Sequence, residues 1–285
     1  MSLATSVSRK LGARIARGNT SDVHVWSKTT VIKVLHRGIP ASWAEVEAAT
    51  TRSVHEAGLP APAVIDILML GDRPAIVLDH VEGETMLDRM LAHPDEVPEM
   101  IRLLVDLQAE LNATIAPPGL PPLRDRLRAN IASAKWLAGS QRATAHRILD
   151  GLPEGNAVCH FDFHPTNVMI GPKGPVVIDW FDAAVGDPSA DRVRTSLLLC
   201  YGSATEHDAN APQTAGLYRA YLALLLRMTT VDEESLLAWE PAVTAGRLAE
   251  PVSKGLLRET RQAFSDSVAG SSRLGRAIRE SRFSA

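Results

Sequence analysis

The chain has 285 residues, 45% of them hydrophobic and 22% charged, with a formal net charge of -3. That length suits one or two tightly joined domains, and the composition is that of a globular protein. The charge does not suggest a nucleic-acid binder, which normally shows a strongly basic face, and no apolar run reaches the roughly 20 residues of a membrane-spanning helix.

The first third reads as strands with one helix. Residues 11–16 and 23–27 flank the turn residues Arg17-Gly18-Asn19-Thr20-Ser21-Asp22, which predicts a hairpin. Residues 31–35, rich in β-branched side chains, form a third strand carrying one lysine, Lys33. Pro40-Ala41-Ser42 opens a helix to about Glu56; Gly58 closes it, and Pro60 and Pro62 keep it from resuming. Residues 64–70 and 75–79 form a second hairpin around Gly71-Asp72-Arg73-Pro74.

After Gly83 the pattern turns helical. Helices are expected over 84–92, 98–113, 123–137 and 142–152, the second with Leu103, Leu104, Leu107 and Leu111 at helical spacing. A short β-rich island follows, at 157–159, 168–170 and 176–178 with a turn at 172–174. Helices resume from about Ser189. No internal repeat or low-complexity segment interrupts this outline.

The segment that carries chemistry is His160-Phe161-Asp162-Phe163-His164-Pro165-Thr166-Asn167, followed by Ile178-Asp179-Trp180. Two Asp and one amide at strand ends can share a small cavity. Magnesium takes hard oxygen ligands, one or two carboxylates among them, and an acceptor hydroxyl needs a carboxylate within hydrogen-bond reach. A polyphosphate needs positive charge and backbone N–H groups. Lys33 supplies the charge, and the Gly18 turn, with Asn19, Thr20 and Ser21, offers the N–H groups. A lysine in an apolar strand needs a carboxylate partner, and Glu45 and Glu47 both lie on the next helix.

These residues resemble the aminoglycoside phosphotransferase and choline kinase group of protein-kinase-like enzymes. The match rests on His160-x-Asp162-x-His164-x-x-Asn167, then Asp179-Trp180, then Gly186-Asp187-Pro188 and Asp191. The glycine turn, Lys33, a helix Glu, Gly-Leu-Pro-Ala-Pro at 58–62 and Val81-Glu82-Gly83 follow the same order. The resemblance implies an α+β, protein-kinase-like, two-lobed fold. A small antiparallel β lobe at 1–82 would bind nucleotide. A larger, mostly helical lobe at 83–285 would hold the catalytic loop, metal and acceptor site.

It further implies ATP and Mg²⁺ as cofactors and a small-molecule hydroxyl as acceptor. Asp162 would be the catalytic base or hydroxyl-orienting group, and Asn167 and Asp179 the metal ligands. Lys33 would contact the phosphates and pair with Glu47, preferred over Glu45 by its spacing to Gly58. The backbone of Asp79 and Val81, with Leu78 beside them, would receive adenine. His160 reads as structural. His164 contacts the acceptor or fixes the loop. Asp187 and Asp191 open a helix, where an N-cap role competes with an acceptor role.

The chain departs from protein kinases in having one glycine in the turn, Ile-Asp-Trp in place of Asp-Phe-Gly, and no Ala-Pro-Glu segment, so proteins are not the expected acceptor. Asn112 stands where many relatives of the group have His after Leu. Two other functions compete: a metal-dependent hydrolase built on the His-x-Asp-x-His cluster, and a non-catalytic nucleotide-binding protein of the same fold. Arg9, Lys10, Arg14 and Arg17 break any leader-like run, and Cys159 and Cys200 read as buried free thiols, so a cytoplasmic enzyme without membrane or nucleic-acid partners is expected. The acceptor, ATP against GTP as donor, and the oligomeric state are left open at this stage. Residues 181–260 carry eleven acidic and seven basic side chains, which suits a cationic acceptor or merely solvated helix faces.

Overall fold

The structure is a computed structural model that describes residues 10–202, 211–250 and 253–281. In chain order it forms β1 (Arg14–Arg17), β2 (Ser21–Val25), β3 (Thr30–Leu35), α1 (Ala41–Glu56), β4 (Val64–Leu70), β5 (Arg73–Asp79), β6 (Glu84–Thr85), α2 (Met86–Ala92), α3 (Val97–Ala113), α4 (Leu123–Ser133) and α5 (Gly139–Gly151). There follow β7 (Ala157–Cys159), β8 (Val168–Gly171), β9 (Gly174–Val177), β10 (Ala184–Gly186), α6 (Pro188–Tyr201), α7 (Ala211–Met228), α8 (Glu233–Arg247), α9 (Lys254–Val268) and α10 (Arg273–Ser281). Two compact units result. Of the described residues, one comprises those up to Arg89 with Pro117–Leu120 and Thr166–Asp182; the other comprises Met90–Ala116, Pro121–Pro165 and those from Ala183 on. No helix of the described residues is long and apolar enough to cross a membrane.

The first unit is built on an antiparallel sheet of order β1-β2-β3-β5-β4. Side chains alternate across a strand, so Ile32 and Val34 of β3 join Leu68, Ala75 and Val77 on one face. Leu35 joins Ile76 on the other, beneath Ala44 and Ala48 of α1. Lys33, two residues from Leu35, shares that second face. On α1 the buried residues Ala44, Glu47, Ala48, Thr51 and Val54 recur at helical spacing, so the helix turns one stripe to the sheet. Gly58 ends it at φ +84, a conformation that favours glycine. Strands lie one to three residues from their expected bounds at the first hairpin, where β1 is an exposed edge strand with a bulge between Arg14 and Ala16.

A second sheet of this unit has the order β6-β8-β9. The expected helix at 84–92 begins only at Met86, because Glu84 and Thr85 pair with Ile170 and Met169. Gly83, at φ +129, permits this: a Cβ there would lie 2.1 Å from the Ile170 carbonyl oxygen.

The second unit is helical apart from β7 and β10, an antiparallel pair in which Ala184 faces Cys159 and Gly186 faces Ala157. The sequence did not show β10, because three residues are too few to display alternation. The β-rich island is thus two separate sheets. The helix expected over 123–137 stops at Ser133, where Ala134 turns to an extended conformation. The next begins at Gly139, three residues before its expected start, because the Gln141 side chain accepts from the Ala138 N–H at 3.0 Å. Cys159 is buried and Cys200 partly buried, and both are free thiols.

Candidate active site

In the first unit, Lys33 Nζ donates to Glu47 Oε1 at 2.6 Å and to Asp179 Oδ1 at 2.9 Å. Glu47 is buried on the stripe of α1 facing β3, whereas Glu45 is exposed on the other side. Burial alone would push the Lys33 ammonium down, but the carboxylates of Asp179 and Glu47 outweigh it and hold it above the ordinary lysine range. Burial likewise raises the Glu47 carboxyl, to about 7, against the pull of Lys33.

Asp179 sits at φ +64 just after β9, and with Phe161 at φ +62 it forms the pair of non-glycine residues of positive φ among the described residues. Such strain persists only where the surroundings enforce it, and it gathers at functional segments. The enforcing contacts are visible. Val168 pairs with Val177, and the Ile178 N–H donates to the Asn167 carbonyl at 2.9 Å, so Asn167 and Asp179 flank one end of the β8–β9 hairpin. Trp180, fully buried, donates from Nε1 to the Val177 carbonyl at 2.9 Å, and Thr50 of α1 donates to the Trp180 carbonyl at 2.8 Å. The Asp179 side chain is 42% exposed, so its contact with Lys33 does not enclose it. A carboxylate and an amide oxygen at one hairpin end are a hard donor set that fits Mg²⁺ completed by phosphate oxygens and water. Among the described residues no three His, Cys, Asp or Glu side chains gather as a metal site, which leaves the hydrolase expectation without a preformed zinc set.

The expected nucleotide contacts also lie in this unit. The Gly18 N–H donates to the Ser21 carbonyl at 2.8 Å and closes the β1–β2 turn, with Asn19 and Thr20 at its tip; that N–H is therefore engaged within the turn. The Asp79 N–H donates to the Ala63 carbonyl at 3.0 Å, and Leu78 pairs with Val31 across the sheet. Asp79 and Val81 line a cavity of about 510 Å³ together with Lys28, Pro62, Glu82 and Lys173, but neither Lys33 nor Asp179 reaches it.

In the second unit, Asp162 follows β7 and its side chain is 28% exposed. His164 Nε2 lies 3.7 Å from Asp162 Oδ2 and Arg194 Nη2 lies 3.8 Å from Oδ1. Burial would raise the Asp162 carboxyl, but His164, Arg194 and His160 overcome it and hold the group well below the usual carboxylate range. His160 is fully buried, accepts from the Asp162 N–H at Nδ1 over 3.2 Å and stacks edge-on against Phe163. Asp191 is also fully buried. Its Oδ1 accepts from the Phe161 N–H at 2.7 Å, and its Oδ2 accepts from Gln108 at 2.9 Å and Asn112 at 3.0 Å. It therefore fixes the left-handed Phe161 and, through it, the loop bearing Asp162. Asn112 also donates to the Val158 carbonyl at 3.1 Å. Asp187 caps α6 by accepting from the Ser189 N–H at 2.7 Å.

Sequence reasoning missed Arg194 and Glu250. Arg194 is buried, donates from Nε to the Phe161 carbonyl at 3.1 Å, and pairs through Nη1 with Glu250 Oε1 at 2.8 Å. The available signal was its place one helical turn after Asp191, which puts both on one face of α6.

The model of the phosphotransferase enzyme family matches residues 13–237. No curated protein sequence matches the chain. Among solved structures, the ADP-bound aminoglycoside phosphotransferase APH(2'')-Ib has a TM-score of 0.57 at 17% identity, covering 92% of this chain and 94% of its own. A choline/ethanolamine kinase family protein from Mesorhizobium loti has a TM-score of 0.55 at 17% identity, with coverage of 96% and 93%. The amicoumacin kinase hAmiN, in complex with AMP-PNP, Ca²⁺ and Ami, has a TM-score of 0.61 at 11% identity, with coverage of 93% and 90%. At these identities the likeness establishes the protein-kinase-like, two-lobed α+β fold.

Proposed function

The chain belongs to the phosphotransferase enzyme family, whose activity is ATP-dependent transfer of a phosphoryl group to a hydroxyl of a small molecule, and from that premise we propose how its residues divide the work. Asn167 and Asp179 hold Mg²⁺, which when bound neutralises phosphate charge. Lys33, fixed by Glu47, contacts the phosphates. The turn at Gly18, Asn19, Thr20 and Ser21 covers them, and the backbone of Asp79 and Val81, beside Leu78, receives the adenine. Asp162 accepts the hydrogen bond of the acceptor hydroxyl. A carboxylate held so far below its usual range is a weak base, so its work is to orient the hydroxyl and take its proton late in the transfer. His160 and Asp191 position that loop.

The observation that carries this reading is the buried lysine shared by two carboxylates. Lys33 is shared by the carboxyls of Glu47 and Asp179, and Asp179 stays partly open to solvent, a cluster that a divalent cation and phosphates would complete. The test is thermal unfolding with ATP plus Mg²⁺, ATP plus chelator, and GTP plus Mg²⁺. A ligand at 100 times its dissociation constant adds about 2.7 kcal/mol, which for a chain of this size is a rise of about 5–10 °C. A magnesium-dependent rise in the wild type that disappears in Asp179→Ala is the expected result. A rise that Asp179→Ala or chelation leaves intact removes Asp179 from the metal site.

A further inference from the structure

One buried group of the second unit has no part in that scheme. Arg247, at the end of α8, is 1% exposed. Its Nη2 donates to the Gly202 carbonyl, while Nε and Nη1 have no partner among the described residues. Asp162 and Glu250 act on it only from a distance, and Arg194 repels it. Burial and Arg194 together lower it to about 10, which leaves it charged at neutral pH. One guanidinium, Arg194, thus lies 3.8 Å from the Asp162 carboxylate, and the second, Arg247, feels that carboxylate from farther away. Arg194 is satisfied by Glu250, Asp162 and the Phe161 carbonyl, and Arg247 is left with two nitrogens unmatched. A buried, charged donor without an acceptor is among the costliest arrangements a fold can hold, and it persists where something else completes it.

We propose that Arg247, with Arg194 beside it, receives an anionic group of the phosphoryl acceptor, a carboxylate or a phosphate, so that the acceptor is an anionic hydroxy compound such as a hydroxy acid or sugar acid. The planar fork of a guanidinium matches such oxygens two at a time, and the ammonium groups of a polycationic aminosugar would instead meet like charge. The acidic excess over residues 181–260 does not argue otherwise. Of its carboxylates, Asp187 and Asp232 cap helices, Asp191 holds the Phe161 N–H, and Glu250 is paired with Arg194. This inference rests on the assignment of Asp162 to the acceptor hydroxyl.

The experiment compares wild type, Arg247→Met and Arg247→Lys by thermal unfolding in sodium chloride, sodium acetate and inorganic phosphate at constant ionic strength, with ATP plus Mg²⁺ as a separate arm. Acetate or phosphate raises the wild-type midpoint above chloride, and Arg247→Met loses that increment, its anion affinity falling by about ten- to a hundredfold, as on losing a charge-assisted hydrogen bond. A response to acetate identifies a carboxylate acceptor, and a response to phosphate alone a phosphate ester. Arg247→Met itself folds and keeps its ATP–Mg²⁺ stabilisation, because an apolar side chain of similar length replaces an unmatched charge. Equal increments in wild type and variant overturn the proposal. Should Arg247→Met not fold, Arg247→Lys, which keeps the charge and loses the fork, decides by the same comparison. ADP release with D-gluconate, sorbitol and glucosamine adds turnover: preference for glucosamine over gluconate overturns the proposal. Loss of the ATP–Mg²⁺ effect with the anion effect intact sinks the kinase assignment of the residues and leaves the anion site standing.

Discussion

The two units carry charge clusters of opposite need. Around Lys33, one cation faces two carboxylates, and Asp179 stays partly exposed. Around Asp162, Arg194 pairs with two carboxylates, and the buried guanidinium of Arg247 has two nitrogens unmatched among the described residues. On the proposed reading, a cation would complete the first cluster and an anion the second. Net charge does not reveal this, since the chain as a whole is only mildly acidic at -3. What distinguishes them is which charges are within hydrogen-bond reach and which act across a gap, because inside a protein the unmatched group sets the cost.

The sharpest way to separate the clusters is Asp162→Asn, which removes the carboxylate and leaves the shape. It should lower kcat by about 10²- to 10⁴-fold, the span of a positioned acid–base group, while stabilisation by ATP plus Mg²⁺ stays at the wild-type value. Near-full turnover in a coupled ADP-release assay would remove Asp162 from the reaction. A smaller effect is expected in the first cluster. Glu47→Ala takes one charge-assisted hydrogen bond from buried Lys33 and should cost about 1.5–3 kcal/mol in urea unfolding, with a raised KM for ATP. Unchanged stability and KM would mean that Asp179 alone holds the lysine.

The smallest effect is in acid. The Asp162 carboxyl is held below its ordinary value in the folded protein, so the unfolded chain takes up its proton first as pH falls. Its stabilising contribution is therefore complete above about pH 4 and is lost progressively below, with a slope of at most about 1.4 kcal/mol per pH unit. Unfolding measured from pH 5 to pH 3 should show Asp162→Asn with a shallower acid slope than wild type. Parallel slopes would show that His164 and Arg194 do not tune this group.

Much of the fold was legible because it is written locally. β-branched side chains marked 31–35 as the strand that carries Lys33, the helix expected from 41 to 56 offered Glu45 and Glu47, and the structure shows Glu47 on the buried stripe. The run from His160 to Asn167 and Asp179-Trp180 marked the site segment without any tertiary information. Where the reading slipped, at residues 84–85 and at β10, two- and three-residue strands are defined by partners such as Ile170 and Cys159 far along the chain, not by their own pattern.

The sequence by itself determined the chemistry-bearing motif, the strand and helix that carry Lys33 and Glu47, and the α+β class, since each depends on neighbours within a few turns of chain. Only the tertiary structure decided that Asp191 holds the Phe161 N–H, that Arg194 bridges Asp162 and Glu250, and that Arg247 is buried with nitrogens unmatched among the described residues. Those facts depend on how helices remote in sequence converge, and the stakes of a buried charge are set by the partner it meets or misses there.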